Sequence, residues 1–225
     1  MRKRSKRYRK ESEHLTKEPV ALAQAVKQIK GFKGLKFDQS VEIVLQLGID
    51  PKQADQLVRG SVSLPNGIGK QKKVIAFCED SEVAKIKAAG AVEAGSDTLV
   101  DKITGGWLDF DVAIASPKMM GKVGKLGRVL GPQGKMPSPK NGTVTDDVEM
   151  AVREFAAGKI EFRNDSGGNV HAVVGKQSFD EQKLVENIQA FIDLIKKQKP
   201  TSSKGTYIKQ AFMSTTMGPS VALNV

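Results

Sequence analysis

Between Lys118 and Asn141 the chain reads KMMGKVGKLGRVLGPQGKMPSPKN: Lys118, Lys122, Lys125, Arg128, Lys135 and Lys140 recur among glycines and prolines, with no acid between them. Such a stretch suits a flexible basic loop whose amides and cations approach phosphates. It suits a merely solvated surface loop equally well. Gly121-Lys122-Val123-Gly124 and Gly124-Lys125-Leu126-Gly127 also match the G-x-x-G of KH domains, a short pattern of little specificity.

A second constellation is divided between the two ends of the chain. Lys36-Phe37 directly precedes an alternating segment that carries Ser40 and Glu42. Far downstream, Asp165, Ser166, Gly167 and Gly168 form a turn signal with His171 just beyond it, and Ser214, Thr215, Thr216, Met217, Gly218 and Pro219 form another. A cation, an aromatic ring, glycines that let RNA approach the backbone, and hydroxyls for sugar or phosphate are the parts of an RNA surface. Each also has an ordinary use. Phe37 fits a core, Gly167-Gly168 fits a turn, and Met217-Gly218 fits packing.

Catalytic and metal chemistry have no comparable support. His14, Cys78 and His171 are too few and too scattered for a zinc site of familiar spacing. The P-loop pattern fails at both ends, because Val129 stands where its first glycine belongs and Met136 follows Gly134-Lys135. Glu79-Asp80-Ser81 follows the strand at Val74, where a dinucleotide fold needs a glycine-rich turn. No carboxylates form an acid/base pair of recognisable spacing. No catalytic residue, metal or cofactor is expected.

Charge points the same way. The 225 residues carry a formal net charge of +11 and a pI near 9.6, which favours a polyanionic partner. Seven cations, Arg2, Lys3, Arg4, Lys6, Arg7, Arg9 and Lys10, precede the first acid, Glu11. That opening reads as an electrostatic arm over residues 1–13, compatible with both phosphate contact and disorder. Cys78 has no cysteine to pair with, as suits a reducing cytoplasm. Polar Glu11 to His14 follow the basic start where a signal peptide would turn apolar, and no stretch approaches a membrane span. A soluble intracellular protein without a membrane partner is expected.

The elements that must position these residues follow two grammars. At the start, Val20–Ile29 has helical spacing, Pro19 suits its first turn and Gly31 its end. Val41, Ile43, Leu45 and Leu47 alternate as a half-exposed strand. Asp50-Pro51 opens a short helix ending near Gly60, and Leu64–Gly69 is turn-rich. From Val74 the apolar runs become continuous: strands at Val74–Cys78, near Ala91-Val92 and at Val112–Ala115 alternate with helical pieces, then a helix from about Asp146 to Ala157 ends at Gly158. Buried strands alternating with helices imply parallel pairing.

The last third returns to alternation. Ile160 and Phe162 lead through the polar turn 164–169 into Val170, Ala172 and Val174, which predicts a hairpin. Ser178-Phe179-Asp180-Glu181 has capping-box spacing and opens a helix that Pro200 ends, followed by strands at YIKQAF and Val221–Val225. Residues 14–67 and 159–225 should therefore share one antiparallel sheet with helices on one face. Residues 68–158 form an inserted α/β domain. The fold class is α/β in two domains, an α+β terminal domain that is discontinuous and the insertion.

Long motifs then carry a resemblance. FDQSVEIVLQLGID-P, Arg59-Gly60, VSLPNGIGK, GKVGKLGRVLGPQGKMPSPKNGTV, GKIEFRNDSGGNVHAVVGK and STTMGPSV occur in this order and cover nearly the whole chain from about residue 14. Together they resemble the ribosomal protein L1 family of the large subunit, in its bacterial organisation. The basic opening has no match in that pattern.

The resemblance implies a discontinuous RNA-binding domain with a Rossmann-like insertion. It implies a structural ribosomal protein that binds large-subunit ribosomal RNA at the mobile stalk near the exit site, meets exit-site tRNA, and assists release of deacylated tRNA. It also implies repression of the protein's own messenger RNA through an RNA mimic of that site, a monomer outside the ribosome, and a cytoplasmic ribosome, an organellar one being the alternative. Carried onto matching positions, the RNA surface comprises Lys36, Phe37, Ser40 and Glu42, the turn Asp165–Gly168 with His171, and Thr215, Thr216, Met217 and Gly218. Lys118, Lys122, Lys125, Arg128 and Lys135 would add secondary contacts. A general KH-like binder and a nucleotide-dependent enzyme are the rival classes.

Overall fold

A computed structural model describes residues 4–13, 15–16, 18–32 and 35–225. Arg2, Lys3 and His14, named above, lie outside the described residues. In chain order the elements are α1 (Lys6–Glu13), α2 (Leu22–Lys30), β1 (Ser40–Leu47), β2 (Arg59–Val62), β3 (Val74–Phe77), α3 (Val83–Ala88), β4 (Glu93–Gly95), α4 (Asp97–Thr104) and β5 (Val112–Ala115). Two single turns follow, α5 (Met120–Val123) and α6 (Gly127–Leu130), then α7 (Val148–Ala156), β6 (Ile160–Arg163), β7 (Asn169–Lys176), α8 (Glu181–Lys197), β8 (Ile208–Thr215) and β9 (Val221–Leu223). The chain forms two compact units, residues 1–69 with 162–225, and residues 70–161. The α/β class holds.

In the first unit β7-β1-β8-β9 form one antiparallel sheet. Strand β1 sits inside it because alternation makes it useful on both faces: Val41, Ile43, Leu45 and Leu47 are buried while their neighbours stay open. Burying each such side chain contributes roughly 1.5–3 kcal/mol. Helix α8 covers the apolar face with Leu184, Ile188, Phe191, Ile192 and Ile195, and α2 packs beside it. Gly175, opposite Val41, leaves the space that Leu184 and Phe179 fill.

The second unit is a parallel sheet of order β4-β3-β5. Strands β3 and β5 are buried along their whole length, as their continuous apolar runs require. One apolar cluster joins this sheet to α7 through Val148, Val152 and Phe155. The other holds Leu99, Ile103, Met119, Val123, Leu126 and Leu130.

Several expectations are corrected. No helix forms after Asp50. Residues 50–56 form successive short turns, with Gln53 N–H bonded to Asp50 O and Gln56 N–H to Gln53 O; Arg59–Val62 is strand instead. Helix α2 starts at Leu22, leaving Pro19 outside it, and Val20 bridges Leu223. The strand placed near Ala91-Val92 is Glu93–Gly95.

The expected hairpin divides. Strand β6 pairs with β2 and β7 pairs with β1, while one bridge, Asn164 to Val170, joins the two arms. Buried Asn164 drives the split, because its backbone and side chain both bond Val58. Ser178 does not cap α8. Its N–H and hydroxyl both donate to Asp38, and Asp180 is the N-cap residue.

The first part of the basic stretch, residues 118–130, is not a loop, whereas 131–138 is irregular. Met119, Val123, Leu126 and Leu130 recur at helical spacing and are all buried, so short helical turns bind the segment to the core. Lys6–Glu13 of the arm form α1.

Candidate nucleic-acid interface

Alternation along β1 places Ser40, Glu42, Val44 and Gln46 on the face that α2 and α8 leave uncovered. Glu42 lies opposite Val173 on one side and Ser214 on the other, and Val44 lies between His171 and Phe212. One helix-free face thus carries Ser40, Glu42, His171 and Ser214, drawn from three strands far apart in sequence.

At the Ser40 end the chain builds a tight edge. Thr216 Oγ1 accepts from Ser40 N–H at 3.1 Å, Thr216 N–H donates to Ser40 O at 3.1 Å, and Lys176 Nζ donates to Ser40 Oγ at 3.0 Å. Lys36 and Thr216 are exposed, Phe37 is 48% exposed, and Met217 is 55% exposed. Gly218 is required where it stands, because a Cβ would meet Thr215 Oγ1 and the Phe32 ring. Thr215 itself is buried and its hydroxyl makes no hydrogen bond. It supports the turn from beneath.

Helix α1 stands against this same turn. Arg7 Nη2 donates to Met217 O at 2.7 Å, while Nη1 binds the Glu11 carboxylate at 2.7 and 3.0 Å. Arg4 lies 4.6 Å over the Tyr8 ring. An open cleft of about 400 Å³ runs between helix and turn, lined by Arg4, Arg7, Tyr8, Thr216, Met217 and Gly218 among others.

The Asp165–Gly168 turn occupies the other end of the sheet, since Gln46 pairs with Asn169 and Ser40 with Lys176. About six residues of strand, roughly 20 Å, separate the two ends. Asp165 Oδ1 accepts from Gly167 N–H and Asn169 N–H, each at 2.8 Å, and Asn169 Nδ2 lies within reach of both oxygens. The Asn169 amide bonds, then Gly167 N–H and the nearby His171, hold its carboxyl down to about 2. His171 Nε2 is 3.5 Å from Asp165 Oδ2. Asp165 shapes the turn; Asp165, Ser166 and Gly167 are exposed and Gly168 is buried.

The secondary cations differ among themselves. Lys118 pairs with Glu79 and Lys122 with Asp97. Lys135 donates to Leu108 O and lies 4.9 Å over the Phe110 ring. Lys125 and Arg128 are exposed and make no ion pair among the described residues. In both G-x-x-G segments the second central residue, Val123 or Leu126, is buried, which leaves no open KH-type loop.

Sequence reading passed over Gln39, Gln177 and Asp38, and placed Arg7 only among the cations of the arm. Gln39 alone had a signal: it continues the buried phase of β1 as a polar residue. Among the described residues no group of three or more His, Cys, Asp or Glu side chains is placed to hold a metal. Burial, with Glu82 and Asp80 nearby, pushes the Cys78 thiol up to about 11, far from a reactive thiolate.

The fold and this edge define a two-unit α/β protein of the class that the sequence resembles. Residues 23–219 match the family described as Ribosomal protein L1p/L10e family. Three relatives named large ribosomal subunit protein uL1 are similar over nearly their whole length. That of Beutenbergia cavernae is 50% identical over 225 residues, covering 100% of this chain and 94% of its own. That of Thermobifida fusca is 49% identical over 223 residues, 99% and 95% of the two chains. That of a Nocardioides species is 50% identical over 222 residues, 98% and 92%. The chain belongs to the ribosomal protein L1p/L10e family, which is not a family of enzymes. These relatives align with the basic opening as well, which the family pattern does not reach.

Proposed function

We propose that this protein is a structural component of the large ribosomal subunit and binds folded large-subunit ribosomal RNA. Its main surface runs from Lys36 through Glu42 and Ser214 to Gly218. The observation that carries this reading is the exposure of Phe37 and Met217 at one rigid edge, beside Lys36 and the Ser40–Thr216 pair. A half-exposed ring costs the monomer apolar surface left in water, and a base or ribose that covers it recovers that cost. Glu42 accepts a hydrogen bond from a ribose 2′-OH, Lys36 meets phosphate, and Thr216, Met217 and Gly218 let RNA approach the turn. The Asp165–Gly168 turn with His171 contacts the RNA farther along the same sheet, and Lys125 and Arg128 add secondary contacts.

On this reading the protein works in cytoplasmic ribosomes, at the mobile stalk near the exit site. There it meets exit-site tRNA and assists release of deacylated tRNA. Bound to an RNA mimic of the ribosomal site, it represses its own message. It is a monomer outside the ribosome and has no membrane partner; no helix among the described residues is long and apolar enough to cross a membrane. Titration with the large-subunit stalk fragment against an unrelated duplex tests the assignment. Phe37→Ala and Thr216→Val should each weaken binding of the fragment specifically. Unchanged affinity in both, with binding abolished on removing Lys125 and Arg128, would reverse the roles of the two surfaces.

A further inference from the structure

Two glutamines fix the Met217 turn from below. Gln39 is 2% exposed. Its Oε1 accepts from Met217 N–H at 3.1 Å, and its Nε2 donates to Gln177 Oε1 at 3.0 Å. Gln177 Nε2 donates in turn to the carbonyls of Ile29 and Phe32, at 3.1 and 2.8 Å. Gln177 N–H also donates to Gln39 O at 2.8 Å.

The order of donors is forced. The Ile29 and Phe32 carbonyls only accept, so Gln177 must turn its nitrogen toward them. Its oxygen is then left for Gln39 Nε2, and the oxygen of Gln39 is left for Met217 N–H. Reversing either amide sets donors against donors or acceptors against acceptors in a buried place, where unmet groups cost most. The relay therefore has one state, and that state ends on the backbone of the exposed turn.

We propose that Gln39, seated on Gln177, is a positioning residue for RNA recognition: it sets the Met217 turn and ties it to the end of α2. This rests on the RNA reading of the edge given above. Gln39 is buried and touches no RNA itself. Residues 216–218 have three other restraints: the Thr216–Ser40 pair, the bond from Gly218 N–H to Thr215 O, and the bond from Arg7 Nη2 to Met217 O. None of them holds Met217 N–H. Once Gln39 loses its acceptor, the peptide between Thr216 and Met217 is free to turn, and it carries with it the half-exposed Met217 side chain.

The test uses the full chain, the large-subunit stalk fragment and an unrelated duplex, with Met217 amide exchange followed by NMR. Gln39→Met removes the acceptor at similar volume. It should lower affinity for the fragment about tenfold, the size of one buried hydrogen bond, and speed Met217 exchange by a similar factor. The salt dependence of binding should stay the same, because every cation that meets phosphate is still in place. Gln39→Glu keeps an oxygen opposite Met217 N–H and should hold affinity near that of the parent even where its melting temperature falls. Gln177→Met frees the relay at its other end and should loosen Met217 less than Gln39→Met does; it serves if Gln39→Met does not fold. Parent-like exchange and affinity in both methionine variants would overturn the proposal, as would equal weakening in Gln39→Glu and Gln39→Met. Failure of the parent to prefer the fragment would overturn the RNA reading instead, and Met217 exchange would still decide whether Gln39 holds the turn.

Discussion

The guanidinium of Arg7 donates to the carbonyl oxygen of Met217 at 2.7 Å, across 210 positions of sequence. A cation of the basic opening thus braces the turn of the candidate RNA edge, with Glu11 holding its other nitrogen. The charge of Arg7 is already paired with Glu11, so its role at the turn is to hold the Met217 backbone. Arg7→Ala should loosen the Met217 turn and leave the salt dependence of RNA binding nearly unchanged. Removing residues 1–13 should flatten that dependence by several units of slope, since each phosphate left without its cation reduces it by roughly 0.7–0.9. Binding isotherms at several salt concentrations check both.

Phe37→Ala should separate binding from stability. The ring is 48% exposed, so its removal should change unfolding free energy by no more than about 0.5 kcal/mol. A base stacked on it is worth roughly 1–3 kcal/mol, a drop of about five- to more than a hundredfold in RNA affinity. Chemical denaturation and RNA titration of one preparation give the two values.

Gly218→Ala should fail in the opposite way. The new Cβ meets Thr215 Oγ1 and the Phe32 ring, an overpacking that costs typically 1–3 kcal/mol. The turn should shift as a result, with stability and RNA affinity falling together.

Asp165 makes the acid side of stability sensitive to its turn. Its folded carboxyl sits at about 2, below the ordinary 3.8. A depressed carboxyl stabilises the folded state above the unfolded value, and that contribution is lost as pH falls from near 4 through about 2. Asp165→Asn removes the titration. The stability difference between parent and variant should therefore shrink as pH falls from 5 to 2; a constant difference would mean that the bonds from Asn169 do not favour the charged form. The group is exposed, so the effect should be small.

Much of the fold was legible because burial follows period. The phase of Val41 to Leu47 separated the two faces of β1, and the continuous runs at Val74 and Val112 marked buried parallel strands. What misled was side-chain hydrogen bonding, which has no period. Asn164 sends β6 to β2, and Asp38 claims Ser178. In the basic stretch a legible stripe, Met119, Val123, Leu126 and Leu130, was hidden by glycines that suggested a loop. The candidate edge was legible in its residue types. Its supports, Gln39, Gln177 and Arg7, become visible when distant segments meet.

Amide-exchange mass spectrometry of the full chain, with and without the large-subunit stalk fragment, probes the RNA surface most directly. Protection concentrated in segments 36–42 and 214–218, with weaker protection at 165–171, is the predicted result. Protection confined to 118–141, with the Phe37 and Met217 segments exchanging as in the free protein, would contradict it.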